Sequence, residues 1–174
     1  MNTKRSAWIG CGTLAILALL TWLAWPTPSP RSQITKQLNS LMEMAKKNGE
    51  AVNNPETKNP MQLLGNASHG MNMAEHFTEQ AHVEVSPVLS VVQNRRKLAA
   101  LLTRLRMGAD TIDLQYEVLQ LAIESPPKSA RMKLKSNVTY TRGGRTRKVQ
   151  HTHRLKWAER DGVWLIRNAR VIDE

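Results

Sequence analysis

Hydrophobic and polar residues alternate along the chain from Lys128 to Glu174, in the pattern of three consecutive β-strands. Two short turns separate these strands, Arg142–Arg145 and Arg160–Val163, and each has central residues suited to positive φ, as in two-residue hairpins. The turns predict the following facing pairs: Val138 with Val149, Leu134 with His153, Met132 with Leu155, Trp157 with Ile166, and Leu155 with Asn168.

These two registers agree on which side chains share a face of the sheet. One face is mainly apolar and includes Met132, Leu134, Tyr140, Trp157, Trp164, Ile166 and Ile172, with His151, His153, Asn168 and Arg170 among them. The opposite face, here called the basic face, collects Arg131, Lys133, Lys135, Lys148, Arg154, Lys156 and Arg167.

Upstream, apolar residues at helical spacing alternate with shorter strand-like segments. Helices are predicted over Gln33–Asn48, over Met61–Phe77 as one or two short pieces interrupted around Gly65 and Gly70, and over Ser90–Arg106. Strands are predicted over Ala81–Val85 and Thr111–Glu124. Helices on one side of an antiparallel sheet make an α+β domain.

The N-terminal region differs in composition from the rest of this chain of 174 residues and formal charge +11. Lys4 and Arg5 precede an apolar run, residues 7–25, about as long as a membrane-spanning helix requires. We therefore expect a short cytoplasmic tail (1–6), a signal anchor (7–25), a proline-rich spacer (26–32) and a folded domain (33–174). A cleaved signal peptide is the alternative, although Trp22-Leu23-Ala24-Trp25 fits a cleavage site poorly. The single cysteine, Cys11, excludes an intramolecular disulfide.

Two strings and the order of elements resemble the nuclear transport factor 2-like (SnoaL-like) superfamily. Residues 74–85 (AEHFTEQAHVEV) are similar to the family's helix-to-first-strand segment, and residues 157–166 (WAERDGVWLI) resemble its closing hairpin. The resemblance covers about Gln33 to Glu174. It implies a cone-shaped domain in which a curved antiparallel sheet wraps around helices and often leaves a pocket.

The same resemblance leaves catalysis open, because the superfamily includes isomerases, cyclases and dehydratases as well as non-catalytic scaffolds. Relatives commonly place an acid, sometimes with a histidine, inside the cone. One register of the neighbouring strand would align Glu117, Ser136 and His151, so His151, Glu117 and His153 are catalytic candidates. The candidate pocket residues are Tyr140, His151, His153, Trp157, Asn168 and Arg170. No metal site and no cofactor are predicted.

The basic face predicts an anionic partner, such as an acidic protein, an acidic envelope polymer or lipid headgroups near the anchor. Nucleic acid is disfavoured, because Tyr116 is the one aromatic residue that could stack on that face. Repulsion also disfavours dimerisation through the basic face, whereas oligomers that form through other surfaces remain possible. We expect a single-pass inner-membrane protein with an extracytoplasmic, periplasmic binding or scaffold domain. The alternative is a small-molecule-binding protein or a lyase/isomerase-type enzyme that uses the cone interior.

Overall fold

The computed structural model describes residues 28–48, 60–84, 92–125 and 128–172 of the chain. They form an α+β domain in which three helices cover one side of a five-stranded sheet. The helices are α1 (Pro30–Ala45), α2 (Pro60–Ala74) and α3 (Arg95–Met107), and the strands are β1 (Phe77–Val83), β2 (Thr111–Glu124), β3 (Ser129–Arg142), β4 (Arg145–Arg160) and β5 (Val163–Val171).

The strands lie in the order β1-β5-β4-β3-β2. The pairs β2–β3, β3–β4 and β4–β5 are antiparallel, as predicted. The short strand β1 is parallel to β5, so the sheet is mixed and not purely antiparallel. This strand also begins earlier than the predicted Ala81–Val85 segment, at Phe77.

The two predicted hairpin turns have the expected backbone conformation. Gly143 and Gly144 have φ of 55° and 74°, and Asp161 and Gly162 have φ of 52° and 80°. Positive φ at both central residues matches the right-handed twist of the strands on either side. The predicted pairs of β3 with β4, and the pair of Trp157 with Ile166, are confirmed.

One predicted pair is wrong because β5 contains a bulge. Leu155 faces Ala169, and Asn168 instead faces Lys156. Arg167 is the extra residue between the Trp157–Ile166 pair and the Lys156–Asn168 pair. An extra residue reverses the alternation of side chains beyond it. Asn168 and Arg170 therefore lie on the outer side of the sheet, away from the helices.

The bounds of the helices depart from prediction by several residues. α1 begins at Pro30, because Ser29 caps it by accepting the Ser32 amide at 3.3 Å and proline suits the first helical position. α2 is continuous rather than broken at its glycines. Gly70 instead permits close packing on α3, since a Cβ there would lie 2.0 Å from the Thr103 hydroxyl oxygen. α3 begins at Arg95, after the Asn94 side chain, which accepts the Arg96 amide at 2.7 Å.

The space between the helices and the inner face of the sheet is filled by side chains. Trp157 is 1% exposed, and Met132, Leu134 and Ile166 are buried around it. α1 adds one residue per helical turn to this cluster, namely Ile34, Leu38 and Leu41. The core thus occupies the interior of the cone.

In residues 28–48, 60–84, 92–125 and 128–172, no helix is both long and apolar enough to cross a membrane. The predicted anchor, residues 7–25, lies outside the described residues.

Candidate functional site

Polar side chains follow the apolar core along the inner face of β3 and β4. Ser136 faces His151, and His153 faces Leu134, one pair further towards the core. Ser136 is 4% exposed, and its hydroxyl oxygen lies 2.8 Å from His153 Nε2. The imidazoles of His151 and His153 meet edge to face, with ring centroids 6.1 Å apart. This inner polar cluster is where the sequence predicted a site.

Burial lowers the pKa of His153, and the neighbouring His151 adds to this effect. The imidazole of His153 is therefore neutral at neutral pH, so one ring nitrogen can accept and the other can donate a hydrogen bond. A neutral histidine beside a hydroxyl can act as a general base. Here, however, Ser136 is enclosed by the core, so this contact satisfies buried polar groups.

The predicted row of Glu117, Ser136 and His151 is wrong by one residue. Tyr116 faces Ser136, and Glu117 faces Lys135 on the outer side of the sheet. The Tyr116 hydroxyl donates to Asn39 Oδ1 of α1, which fixes this register from the helical side. The inner polar cluster thus lacks the carboxylate that the predicted catalytic pair required.

The other predicted pocket residues separate into two groups. Tyr140 lies on the inner face near the turn between β3 and β4, and Trp157 is part of the core. Asn168 and Arg170 lie on the outer face because of the bulge in β5. The described residues therefore do not bring the predicted pocket set together in one cavity.

On the outer face, cations of three adjacent strands lie in two rows. Lys133, Arg154 and Arg170 form one row across β3, β4 and β5. In the other row, Arg131 faces Lys156, and Lys156 faces Asn168. The bulge residue Arg167 precedes Asn168 and adds the third cation of this row. We call these six residues, Arg131, Lys133, Arg154, Lys156, Arg167 and Arg170, the cationic block. With the usual strand spacing, the block covers roughly 10 Å across the strands and roughly 7 Å along them.

Like charges face each other directly within this block. Three cross-strand pairs join two cations each: Arg131 with Lys156, Lys133 with Arg154, and Arg154 with Arg170. Such pairs destabilise a sheet, since the two Cβ atoms lie only about 4.5–5.5 Å apart. A cluster of like charges at facing positions is therefore a candidate functional surface.

The surroundings of the block limit what it can bind. Acidic residues lie mainly on the neighbouring edge strand β2, where Glu124 pairs with Arg131 at 2.7 Å. Tyr116, the predicted stacking residue, lies on the inner face. Across the described strands, no tyrosine, tryptophan or phenylalanine faces outward beside the block.

Beyond the block, the outer surface has an open depression of about 530 Å³. Glu117, Lys135, Gln150, Thr152 and Ile172 line it, and His151 reaches it from β4. Ile172 was predicted on the inner face but lies here, again as a consequence of the bulge in β5. In this depression Lys135 faces Glu117, and Leu119 also lines it, whereas Lys148 lies further along β4, opposite Thr139.

The described residues contain no group of three or more His, Cys, Asp or Glu side chains that could hold a metal ion. The histidine pair on β4 therefore has no third ligand of these types nearby in that part of the chain.

Sequence reasoning missed Arg170 as a member of the cationic block. The signal was present in the spacing of apolar residues. Trp164 and Ile166 are two apart, but the next core-facing residue is Ala169, three further on. A change of phase within an alternating strand indicates a bulge.

The fold matches that of solved proteins of low sequence identity. Aln2 from a Streptomyces species superposes with a TM-score of 0.60 at 13% identity, covering 84% of this chain and 94% of Aln2. ActVI-ORFA from Streptomyces coelicolor gives 0.56 at 14% identity, covering 82% and 95%. An NTF2-like protein with a cystatin-like fold from Novosphingobium aromaticivorans gives 0.56 at 13% identity, covering 91% and 86%.

These superpositions define the class of the protein: it has the nuclear transport factor 2-like fold. Its neighbours are NTF2-like and SnoaL-like proteins, as the resemblance of its two strings implied. At such low identities the likeness shows the fold alone. No protein-family model matches the chain, and comparison with curated proteins finds no sequence match.

Proposed function

We propose that this protein is a membrane-anchored, extracytoplasmic binding or scaffold domain whose cationic block holds an anionic partner. The observation that carries this proposal is the set of three facing like-charge pairs. Repulsion within these pairs is relieved when an anion binds between them, so a bound partner and the folded state stabilise each other.

The filled interior of the domain supports the same function. Among the described residues, Leu, Met and Trp side chains occupy the cone, which favours the outer face as the surface for recognition. The inner face then supplies stability, while the outer face binds the partner.

Binding of a labelled poly-glutamate to the full chain in detergent micelles tests this function. The double variant Lys133→Glu/Arg154→Glu should weaken binding more than tenfold, because it replaces two neighbouring cations of the block. A matched control, Arg96→Glu/Lys97→Glu, makes the same change in charge on α3, where both side chains are exposed. Equal loss in both variants would mean that net charge alone drives binding, and the proposal would fail.

Membrane attachment is tested separately. The full chain should stay with membranes after an alkaline carbonate wash, and a variant without residues 7–25 should not. Recovery of a mature chain that lacks these residues would favour the cleaved signal peptide.

The second candidate function is small-molecule binding or lyase/isomerase-type catalysis at the inner polar cluster. The short contact between His153 and Ser136 favours it. Two observations argue against this second function: the interior is packed, and Glu117 lies on the outer face. A ligand of this site should change the NMR signals of the His153 ring, which lies beside the buried Ser136 hydroxyl, whereas a ligand of the outer face should leave the His153 signals unchanged.

A further inference from the structure

We infer that the anionic partner of the cationic block is the lipid headgroup surface of the bilayer that holds residues 7–25. This inference rests on the proposed function and names its partner. Three observations carry it: where the chain enters the domain, how short the connection is, and which chemistry the block offers.

The chain enters the described domain beside the turn between β4 and β5. Gln33 Nε2 donates to the Pro28 carbonyl oxygen at 3.0 Å, which holds Pro28 against the start of α1. Pro28 also lines a surface groove together with Gly162 and Val163 of that turn. The entry point and the turn therefore lie at the same end of the sheet.

The connection from the apolar run to this point is short. Only Pro26 and Thr27 separate Trp25 from Pro28. Three consecutive Cα–Cα steps span at most about 11 Å. If residues 7–25 cross the bilayer, this end of the sheet is held close to the headgroups.

The cationic block lies near the same end. Lys156 is four residues before Arg160, where β4 ends, and Arg167 is four residues after Val163, where β5 begins. Four residues of strand span about 13 Å. The tether therefore keeps the block at a high effective concentration relative to the headgroups, so weak individual contacts suffice for binding.

The composition of the block favours lipid over the other anionic partners. Protein interfaces depend on buried aromatic or aliphatic anchors, and the six side chains of the block are all Lys or Arg. Single-stranded nucleic acid requires aromatic stacking, which the described outer face lacks. Lys and Arg clusters beside a membrane segment are, in contrast, typical of binding to anionic lipids.

The geometry of the sheet agrees with a planar partner. The three described helices cover only the inner side, and none of them lies over the two rows of cations on the outer side of β3, β4 and β5. A headgroup surface can contact the two rows at once, whereas a single small anion would contact one or two side chains.

The experiment measures how closely the outer face approaches the headgroups in the full chain. The variant Cys11→Ser/Gln120→Cys carries a fluorophore at an exposed outer position that faces Lys133 across the β2–β3 pair. A second variant, Cys11→Ser/Leu105→Cys, carries it on the exposed side of α3 as a control. Both are reconstituted into vesicles with spin-labelled headgroups, of phosphatidylcholine alone or with one lipid in three as phosphatidylglycerol.

Quenching of the Gln120→Cys label should be at least twofold stronger in the anionic vesicles. High salt should abolish this difference in quenching between the two vesicle types. The double variant Lys133→Glu/Arg154→Glu should abolish it as well. The control Arg96→Glu/Lys97→Glu should leave it unchanged. Circular dichroism of each variant verifies that it is folded. Equal quenching in both vesicle types, stronger quenching at the Leu105→Cys label, or failure of the chain to float with vesicles would each overturn the inference.

Failure here and failure of the proposed function give different results. If the outer label does not respond to phosphatidylglycerol but the full chain in micelles still binds poly-glutamate through Lys133 and Arg154, the partner is an acidic protein or polymer and the inference alone is wrong. If neither probe depends on these two residues, the proposed function is wrong as well.

Discussion

The inner and outer faces of β3, β4 and β5 come from alternate residues of the same strands, yet they differ in every physical respect. On the inner face, Met132, Leu134 and Trp157 are buried against helices. On the outer face, Arg131 and Lys133 lie one residue away and meet cations of the next strand. One face buries apolar surface, which stabilises the folded state, whereas the other brings like charges opposite each other.

This difference is the basis of the proposed function. The interior of the domain is packed with core residues. In the part of the chain that the structure describes, the outer face has no comparable buried apolar cluster, and it brings cations of neighbouring strands opposite one another. Repulsion between the cations of the outer face can be tolerated because the apolar core on the inner face supplies enough stability.

Removing the largest core side chain should have the largest effect. Trp157→Ala should lower the free energy of unfolding by about 3–5 kcal/mol, since it leaves a cavity in a site that is 1% exposed. Urea unfolding of the full chain in micelles measures this. The control Val163→Ala, at a position 43% exposed, should change stability by about 0.5 kcal/mol or less. Similar losses in both would contradict a packed interior.

Removing the hydroxyl beside His153 tests the structural role of the inner polar cluster. Ser136→Ala should cost about 1–3 kcal/mol, because the half-buried His153 ring loses the hydrogen-bond partner of its Nε2 atom. The exposed neighbour Asn137→Ala serves as a control under the same urea titration. A cost near zero would indicate that water already reaches this histidine, which would favour an open site.

Stability should also fall in acid because of the same histidine. The pKa of His153 is lowered in the folded state, so the unfolded chain binds the proton more tightly. Its contribution is complete above about pH 6.5 and is lost as the pH falls from there towards the folded-state pKa. The slope from one group is at most about 1.4 kcal/mol per pH unit.

Comparison with His153→Gln separates this contribution from that of other groups. The variant should flatten the dependence of unfolding free energy on pH below 6.5, as measured by urea titrations at several pH values. A smaller slope should remain from His76, whose pKa is also lowered, chiefly by burial. An unchanged slope would show that His153 is not the group responsible.

The smallest expected effect is a gain in stability on the outer face. Arg154→Thr removes the central cation between Lys133 and Arg170 and should stabilise the domain by about 0.2–1 kcal/mol at low salt. The control Lys148→Thr, on the same strand and face but opposite Thr139, should gain less. The difference between the two should shrink as salt screens the charges. Equal effects would mean that the facing cations do not oppose folding.

The sequence predicted the β3–β4 hairpin well because both of its determinants are local. The Gly143-Gly144 turn fixes the register, and strict alternation fixes the faces. The β4–β5 hairpin was predicted correctly up to Trp157 and failed beyond it, where Arg167 is inserted.

The position of Glu117 could not be derived in the same way, because four residues separate β2 from β3 and a connection of this length leaves the register open. β2 also contains a bulge, in which Leu119 is the extra residue between the Val118–Leu134 and Gln120–Lys133 pairs. This bulge leaves a trace in the sequence, since Val118 and Leu121, which both lie on the inner face, are three residues apart. The pairing of Tyr116 with Asn39 and the parallel β1 depend on contacts between distant parts of the chain, which periodicity does not reveal.

The most direct test of the central claim is thermal unfolding of the full chain with and without a polyanion. A ligand that binds only the folded state raises its stability. Poly-glutamate should therefore raise the melting temperature of the wild type and of Arg96→Glu/Lys97→Glu, and leave Lys133→Glu/Arg154→Glu unchanged. An equal rise in all three proteins, or no rise in the wild type, would contradict the assignment of the cationic block as the functional surface.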